Sequence, residues 1–272
     1  MKRVMFTKHI QGYALEQVVK SLKHIGMDGA DLCTRPGFPV TPDNCDKAMP
    51  EAARLFASEG MSIELCTAPG DFTDPGMDYA ERLFAACAEA GVGLIKLGYF
   101  RFAPGEDYQQ KVDGARKALD GFEALADKYE VKPVYHTHCG LALGLNTAAT
   151  MELVRGRDPR LVGVFLDTGH LSICGEPIPL AVAMAGEHLS CVALKELAFH
   201  KLPGTLSESP RAKVMPFGYG NVDWPAACQA LKAARFDGPV SFHGEYHYEP
   251  DAVVGQCYVD KLLFEKVWKE TE

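Results

Sequence analysis

The sequence has no CxxC pair, no dense run of lysine and arginine, and no Walker-type phosphate loop. Each absence removes a class of protein. Its nine cysteines stand singly at 33, 45, 66, 87, 139, 174, 191, 228 and 257. An odd number without paired spacing argues against a disulfide framework and for a reducing compartment. No apolar stretch reaches the roughly 18 residues that a bilayer span requires, so no membrane partner is expected. The opening MKRVMFTKHI holds too short an apolar stretch for a signal peptide, and no small-residue cleavage site follows it. A cytoplasmic location is the expectation. Acidic side chains outnumber basic ones, 36 to 28, giving a net charge of −8. The electrostatic footprint of a general nucleic-acid binder is therefore missing, and a small molecule is the expected partner.

What is present is a repeating alternation. A helical stretch, a glycine able to end it, and a short apolar run recur in HIGMDGADL around Gly26, SEGMSIEL around Gly60, EAGVGLIKL around Gly91 and RFDGPVSF around Gly238. In the first helix Leu15, Val18, Val19, Leu22 and Ile25 share one face, with Glu16, Lys20 and Lys23 opposite, which is the pattern of a helix facing a core. Strand-like runs fall at 2–7, 29–33, 61–66, 92–98, 131–138, 161–167, 190–196 and 238–245. Eight such runs, each followed by a helical pattern, demand parallel strands with crossover helices. In 272 residues they favour a single (β/α)8 TIM barrel over an open sheet, with one domain spanning 1–272. One long irregular stretch, 198–222, lies between the seventh strand and a helix beginning near Asp223-Trp224, where a barrel carries loops of its catalytic face. It reads as a lid. Its Gly218-Tyr219-Gly220 follows a loop and not a strand, so it is no dinucleotide fingerprint.

Barrel strands alternate inward and outward, and function collects at their C-terminal ends. The fifth run ends with His136 and His138 on the same side. The sixth ends with Asp167 after an apolar run, followed by His170. The seventh ends Ala193-Leu194-Lys195-Glu196, and the eighth continues through His243, Glu245 and His247. Imidazoles with carboxylates suit Zn, Mn, Co or Fe(II), leaving positions for a substrate's oxygens. Each residue also has a plain structural reading. Lys195 serves equally as the partner of an inward carboxylate, and His247 falls in loop. The cysteines at 33, 66, 139 and 191 read as small core residues. His9, Lys96 and Arg101 lie near strand ends with a weak signal. His24, His188 and His200 read as surface positions, and Arg35, Arg101, Arg211 or Lys213 can meet a phosphate, with no spacing that singles one out.

With these residues in view, the chain resembles the xylose isomerase-like barrel superfamily, which holds sugar phosphate isomerases and epimerases, ketose 3-epimerases, inosose dehydratase and endonuclease IV. The most specific match is Leu166-Asp167-Thr168-Gly169-His170, resembling the sixth-strand Asp-Thr-Gly-His motif. By that resemblance Asp167 binds metal and His170 contacts substrate. Leu194-Lys195-Glu196, the stretch from Pro216 to Asp223, and the stretch from Phe236 to Ser241 are also similar. The departures are at the acid/base pair. Where family epimerases carry metal-bound glutamates on strands five and eight, this chain has His136 and His243, and the usual strand-seven histidine aligns with Ala193. The endonuclease branch needs further histidines on strands three and four, where Cys66-Thr67 and Leu97-Gly98 offer none.

The resemblance implies a divalent-metal-dependent isomerase or epimerase of a sugar, sugar phosphate or polyol, working through an enediolate. The metal would be held by His136 or His138, Asp167, and His243 or Glu245. Glu245 is the remaining candidate base, His170 a substrate ligand, and Lys195 a stabiliser of developing negative charge. The alternatives are an inosose dehydratase-like lyase and a barrel that binds a ligand without catalysis. A homo-oligomer is compatible with this reading, and nothing in the sequence fixes it.

Overall fold

The computed structural model describes residues 1–200 and 211–271. Eight parallel strands close a barrel: β1 (Arg3–Phe6), β2 (Gly29–Cys33), β3 (Ser62–Thr67), β4 (Leu94–Lys96), β5 (Lys132–His136), β6 (Gly163–Asp167), β7 (Leu189–Leu194) and β10 (Val240–Phe242). Closure runs through the parallel pairing of β1 with β10, Arg3 to Val240 and Met5 to Phe242. An antiparallel pair, β8 (Leu197–His200) and β9 (Arg211–Val214), interrupts the sequence before the last barrel strand.

The first crossover helix, α1 (Leu15–Ile25), buries Val18, Val19, Leu22 and Ile25 against the barrel. It ends at Gly26, whose φ of 76° is left-handed and whose N–H bonds back into the last turn. Further crossovers are α2 (Cys45–Ser58), α3 (Ala80–Glu89), α4 (Tyr108–Tyr129), α5 (Thr147–Val154), α6 (Thr168–Ile173), α7 (Ile178–Ala185) and α8 (Trp224–Ala233), with α9 (Pro250–Glu270) after β10. Among the described residues no helix is long and apolar enough to cross a membrane.

Inside the barrel, Leu65, Val134, Phe165, Cys191 and Ala193 pack into a fully buried apolar layer. Each large side chain buried there stabilises the fold by roughly 1.5–3 kcal/mol. A second apolar shell lies between the strands and the surrounding helices.

The stretch 198–222 departs from the expected irregular loop. Leu197 pairs with Val214 and Phe199 with Ala212 in a hairpin, and residues 201–210 of that stretch lie outside the described residues. Its far side is tied down by Glu196, whose carboxylate accepts from the backbone N–H of Gly218 at 3.0 Å, that of Val222 at 2.9 Å and the indole N–H of Trp224 at 2.7 Å. Helix α8 then starts where Asp223 accepts from the N–H of Ala226 at 3.0 Å, an N-cap.

Candidate active site

The C-terminal ends of the strands bring the polar residues together. His136 and Asp167 are the last residues of β5 and β6, Lys96 closes β4, Lys195 and His243 follow β7 and β10 directly, and His170 sits in the first turn of α6. Asp167 is fully buried, and its two oxygens have different environments. Oδ1 accepts from the N–H of His170 at 2.9 Å, capping α6, while Thr137 Oγ1 accepts from Asp167 N–H at 2.8 Å. Oδ2 has no hydrogen-bond partner among the described residues and faces His136 Nε2 at 3.4 Å, His170 Nε2 at 3.8 Å, Lys195 Nζ at 3.9 Å and His243 Nδ1 at 4.0 Å.

His136, Asp167 and His243 form a group whose ligand atoms all lie within 4.8 Å of one another. The His136 and His243 rings are nearly parallel, at 7°. Burial, reinforced by Lys96, holds the His136 pKa well below the usual value, so the imidazole is neutral. Its Nδ1 lies 3.3 Å from the Tyr99 hydroxyl, and its Nε2 has no hydrogen bond. With Nδ1 donating to Tyr99, a lone pair on Nε2 faces a carboxylate oxygen, and a cation between them relieves that opposition. His243 Nε2 is likewise without a hydrogen bond, 3.4 Å from Asp31 Oδ2. Asp31 itself is fixed by Thr67 Oγ1 at 2.5 Å and Ser241 Oγ at 2.8 Å. The pattern carboxylate, imidazole, open nitrogen is that of an oriented metal ligand. Two orphaned buried atoms, His136 Nε2 and Asp167 Oδ2, with His243 Nδ1 facing the same oxygen, make a two-histidine, one-carboxylate donor set that fits a divalent transition metal.

Glu245 and His138 lie beside this group and outside it. The Glu245 carboxylate pairs with Lys195, with Lys8 at 2.7 Å and with His9 at 3.4 Å. Burial opposes its ionisation, but Lys195 and the other cations prevail and hold its pKa well below the carboxylate range. Lys195 mirrors it: burial favours the neutral amine, and Glu245 and Asp167 more than offset this, raising its pKa. His138 donates its Nδ1–H to its neighbour's carbonyl at 2.9 Å, and its ring lies 4.0 Å from that of His170. His170, neutral through burial, presents Nε2 to the Lys195 ammonium at 3.3 Å and Nδ1 to Cys139 Sγ at 3.1 Å. Cys139 is thus a half-buried neighbour of the site and not a core residue; the cysteines at 33, 66 and 191 are buried as expected. His247 is exposed.

The model of the family described as xylose isomerase-like TIM barrel matches residues 13–256. The chain belongs to this family. Inosose dehydratase of Lactiplantibacillus plantarum is 27% identical over 146 residues, 49% of this chain and 46% of that protein, so the chain matches less than half the length of this curated relative. Solved structures of the same shape include the IOLI protein with a zinc atom bound, at a TM-score of 0.77 and 16% identity over 100% of this chain and 99% of that one. Another is 3-keto-D-glucoside 4-epimerase from E. coli, at 0.73 and 15% over 96% and 99%. At these identities the structural likeness shows the fold.

Within this xylose isomerase-like barrel, sequence reasoning missed Asp31 and undervalued Lys96. Asp31 is an acid in the middle of a strand whose five residues are all buried, a position that requires partners. Lys96 is 2% exposed, and its Nζ has no hydrogen bond and sits 3.6 Å above the ring of Tyr99. Burial, then Arg35, hold its pKa well below that of a free lysine.

Proposed function

We propose that this barrel is a metal-dependent isomerase or epimerase of a sugar-like hydroxycarbonyl compound. The observation that carries the reading is the meeting of His136 Nε2, Asp167 Oδ2 and His243 at one buried point beneath a polar cavity of about 260 Å³, small against the ~300–1,000 Å³ of drug-sized sites. His136, Asp167 and His243 would hold the metal, with Asp31 orienting His243. A bound divalent cation supplies polarisation of a carbonyl and its adjacent hydroxyl, which acidifies the C–H between them.

The chain's own residues supply the rest. Glu245 lines the cavity as an ionised acceptor, and Lys195 and Lys8 restrain its basicity. Movement of Lys195 from Glu245 toward a developing enediolate oxygen stabilises that charge and frees Glu245 to accept the carbon-bound proton. His170 Nε2, already within reach of Lys195, accepts a hydrogen bond from a substrate hydroxyl in its place. Return of the proton to either carbon of the enediolate gives isomer or epimer.

A second reading, dehydration, shares the first proton transfer and differs in expelling a β-hydroxyl. The match to inosose dehydratase favours it. The deciding experiment is turnover of ketoses, aldoses and inososes in D2O by metal-reconstituted protein, with products resolved by NMR. Deuterium at the α-carbon of an isomer supports the first reading, and an enone-type product the second. An isomer formed without carbon-bound exchange, or unchanged turnover by Glu245→Gln, removes the proton-transfer assignment.

A further inference from the structure

The chain carries a net charge of −8, yet Lys8, Arg35, Lys96, Arg101 and Lys195 line one small cavity, with Glu245 as its lining carboxylate. Glu245 accounts for two of them, Lys195 and Lys8. Asp31 is engaged by Thr67, Ser241 and His243, and Asp167 faces the histidines. Arg35, Lys96 and Arg101 have no carboxylate partner among the described residues. Arg35 donates Nε to the Ala68 carbonyl at 3.3 Å. Lys96 Nζ has no hydrogen-bond partner among the described residues, and it shares the Tyr99 ring with Arg101, whose guanidinium carbon is 5.5 Å from the ring centre. A buried lysine without a counter-charge holds its proton poorly, and an anionic ligand beside it supplies the missing charge. Lys96 closes β4, and Arg35 and Arg101 lie in the loops that follow β2 and β4, across the cavity from β6 and β7.

We propose that Arg35, Lys96 and Arg101 clamp an oxyanion at one end of the substrate, a carboxylate or a phosphate, with the reacting carbons lying toward His136, Asp167 and His243. The substrate is then a sugar acid or a sugar phosphate. The assignment of the reacting end rests on the function proposed above; the clamp does not. Guanidinium groups bind either oxyanion through paired N–H donors, and a buried lysine adds a point charge.

Sorbitol, D-gluconate and sorbitol 6-phosphate share a carbon chain and differ at one end. Each is titrated calorimetrically into metal-stripped wild-type protein and into the Arg35→Met, Arg101→Met and Lys96→Met variants. At least one anion should bind more than about tenfold more tightly than sorbitol, and each arginine variant should weaken that anion about tenfold or more while leaving sorbitol unchanged. Tight gluconate identifies a sugar acid, and tight sorbitol 6-phosphate a sugar phosphate. Equal binding of all three, or anion binding that survives both arginine variants, overturns the clamp. The arginine side chains are not buried, so those variants report even where Lys96→Met fails to fold. Because the protein is metal-free, failure of the proposed reaction leaves this result intact, and the two fail separately.

Discussion

Two layers of the barrel interior lie two residues apart on the same strands. Leu65, Leu94, Val134, Phe165 and Ala193 fill the lower layer; Thr67, Lys96, His136, Asp167 and Lys195 form the upper one. A strand's period of two makes every pair face the same way, and all of these residues except the half-buried Leu94 are buried. Their energetics are opposed. The lower layer gains from burial in proportion to its apolar area. The upper layer pays desolvation for each charge and recovers it only through partners, and at Asp167 Oδ2, His136 Nε2 and Lys96 Nζ no hydrogen-bond partner stands among the described residues. Unmet demand inside one layer, immediately above fully met demand in the other, marks where ligands belong.

The largest expected effect comes from exchanging the key upper residue. Asp167→Ala should abolish tight metal binding and lower turnover by at least about 1,000-fold, because it removes the shared ligand and the charge facing four cationic or imidazole groups. Elemental analysis and turnover measure both. Retention of one equivalent of metal would show that the metal is held without Asp167, whose carboxylate would then serve only the ion pairs around it. Two residues earlier, Phe165→Ala should do the opposite: a loss of about 3–5 kcal/mol in urea unfolding, with metal stoichiometry preserved in the folded protein. Equal effects of the two variants on stability and metal would erase the distinction between the layers.

A smaller effect is expected where a buried carboxylate is fully satisfied. Glu196 lies next to Lys195 in sequence, yet its three donors are all from the segment 218–224. Glu196→Gln turns an acceptor into a donor facing an N–H and should destabilise by about 1–3 kcal/mol, with metal binding unchanged. Loss of metal in this variant would place Glu196 with the site.

These comparisons also show what the sequence could reveal. The eight strand runs agree with the barrel strands because their boundaries follow from glycine caps and apolar runs, which are local. His136 and Asp167 were legible because each follows an inward apolar residue at the strand period. That period stops at Phe242, where β10 ends; the Glu245 N–H bonds back to the His243 carbonyl at 2.8 Å, and the chain turns. Extending the eighth strand to 245 therefore put Glu245 in line with His243, when its carboxylate meets Lys195 and Lys8, which follow β7 and β1, in an ion-pair cluster that no sequence spacing encodes. The hairpin of β8 and β9 escaped notice because four residues a side are too few for alternation to register. Asp31 escaped because its partners, Thr67, Ser241 and His243, come from strands distant in sequence.

The subtlest separation of the layers is by pH. The lower layer carries no ionisable group that titrates near neutrality, whereas His136, His138 and His170 are held neutral below the ordinary imidazole value, with burial as the leading cause. In the unfolded chain these histidines take up protons near pH 6.5; in the folded protein they do so only at lower pH. The unfolded state therefore binds more protons as pH falls below about 6.5, and stability declines from there toward the folded-state values. Lys96 contributes with the same sign, beginning below its free value. Glu245, lowered below the carboxylate range, weakens the fold only once pH drops under about 4.5. Between pH 7.5 and 5 the melting temperature of metal-free protein should accordingly fall, and His136→Gln and His170→Gln should each flatten the slope, while Phe165→Leu should lower the whole curve without changing it. A flat wild-type profile would mean that these histidines titrate alike in the folded and unfolded chains and are not held neutral by burial.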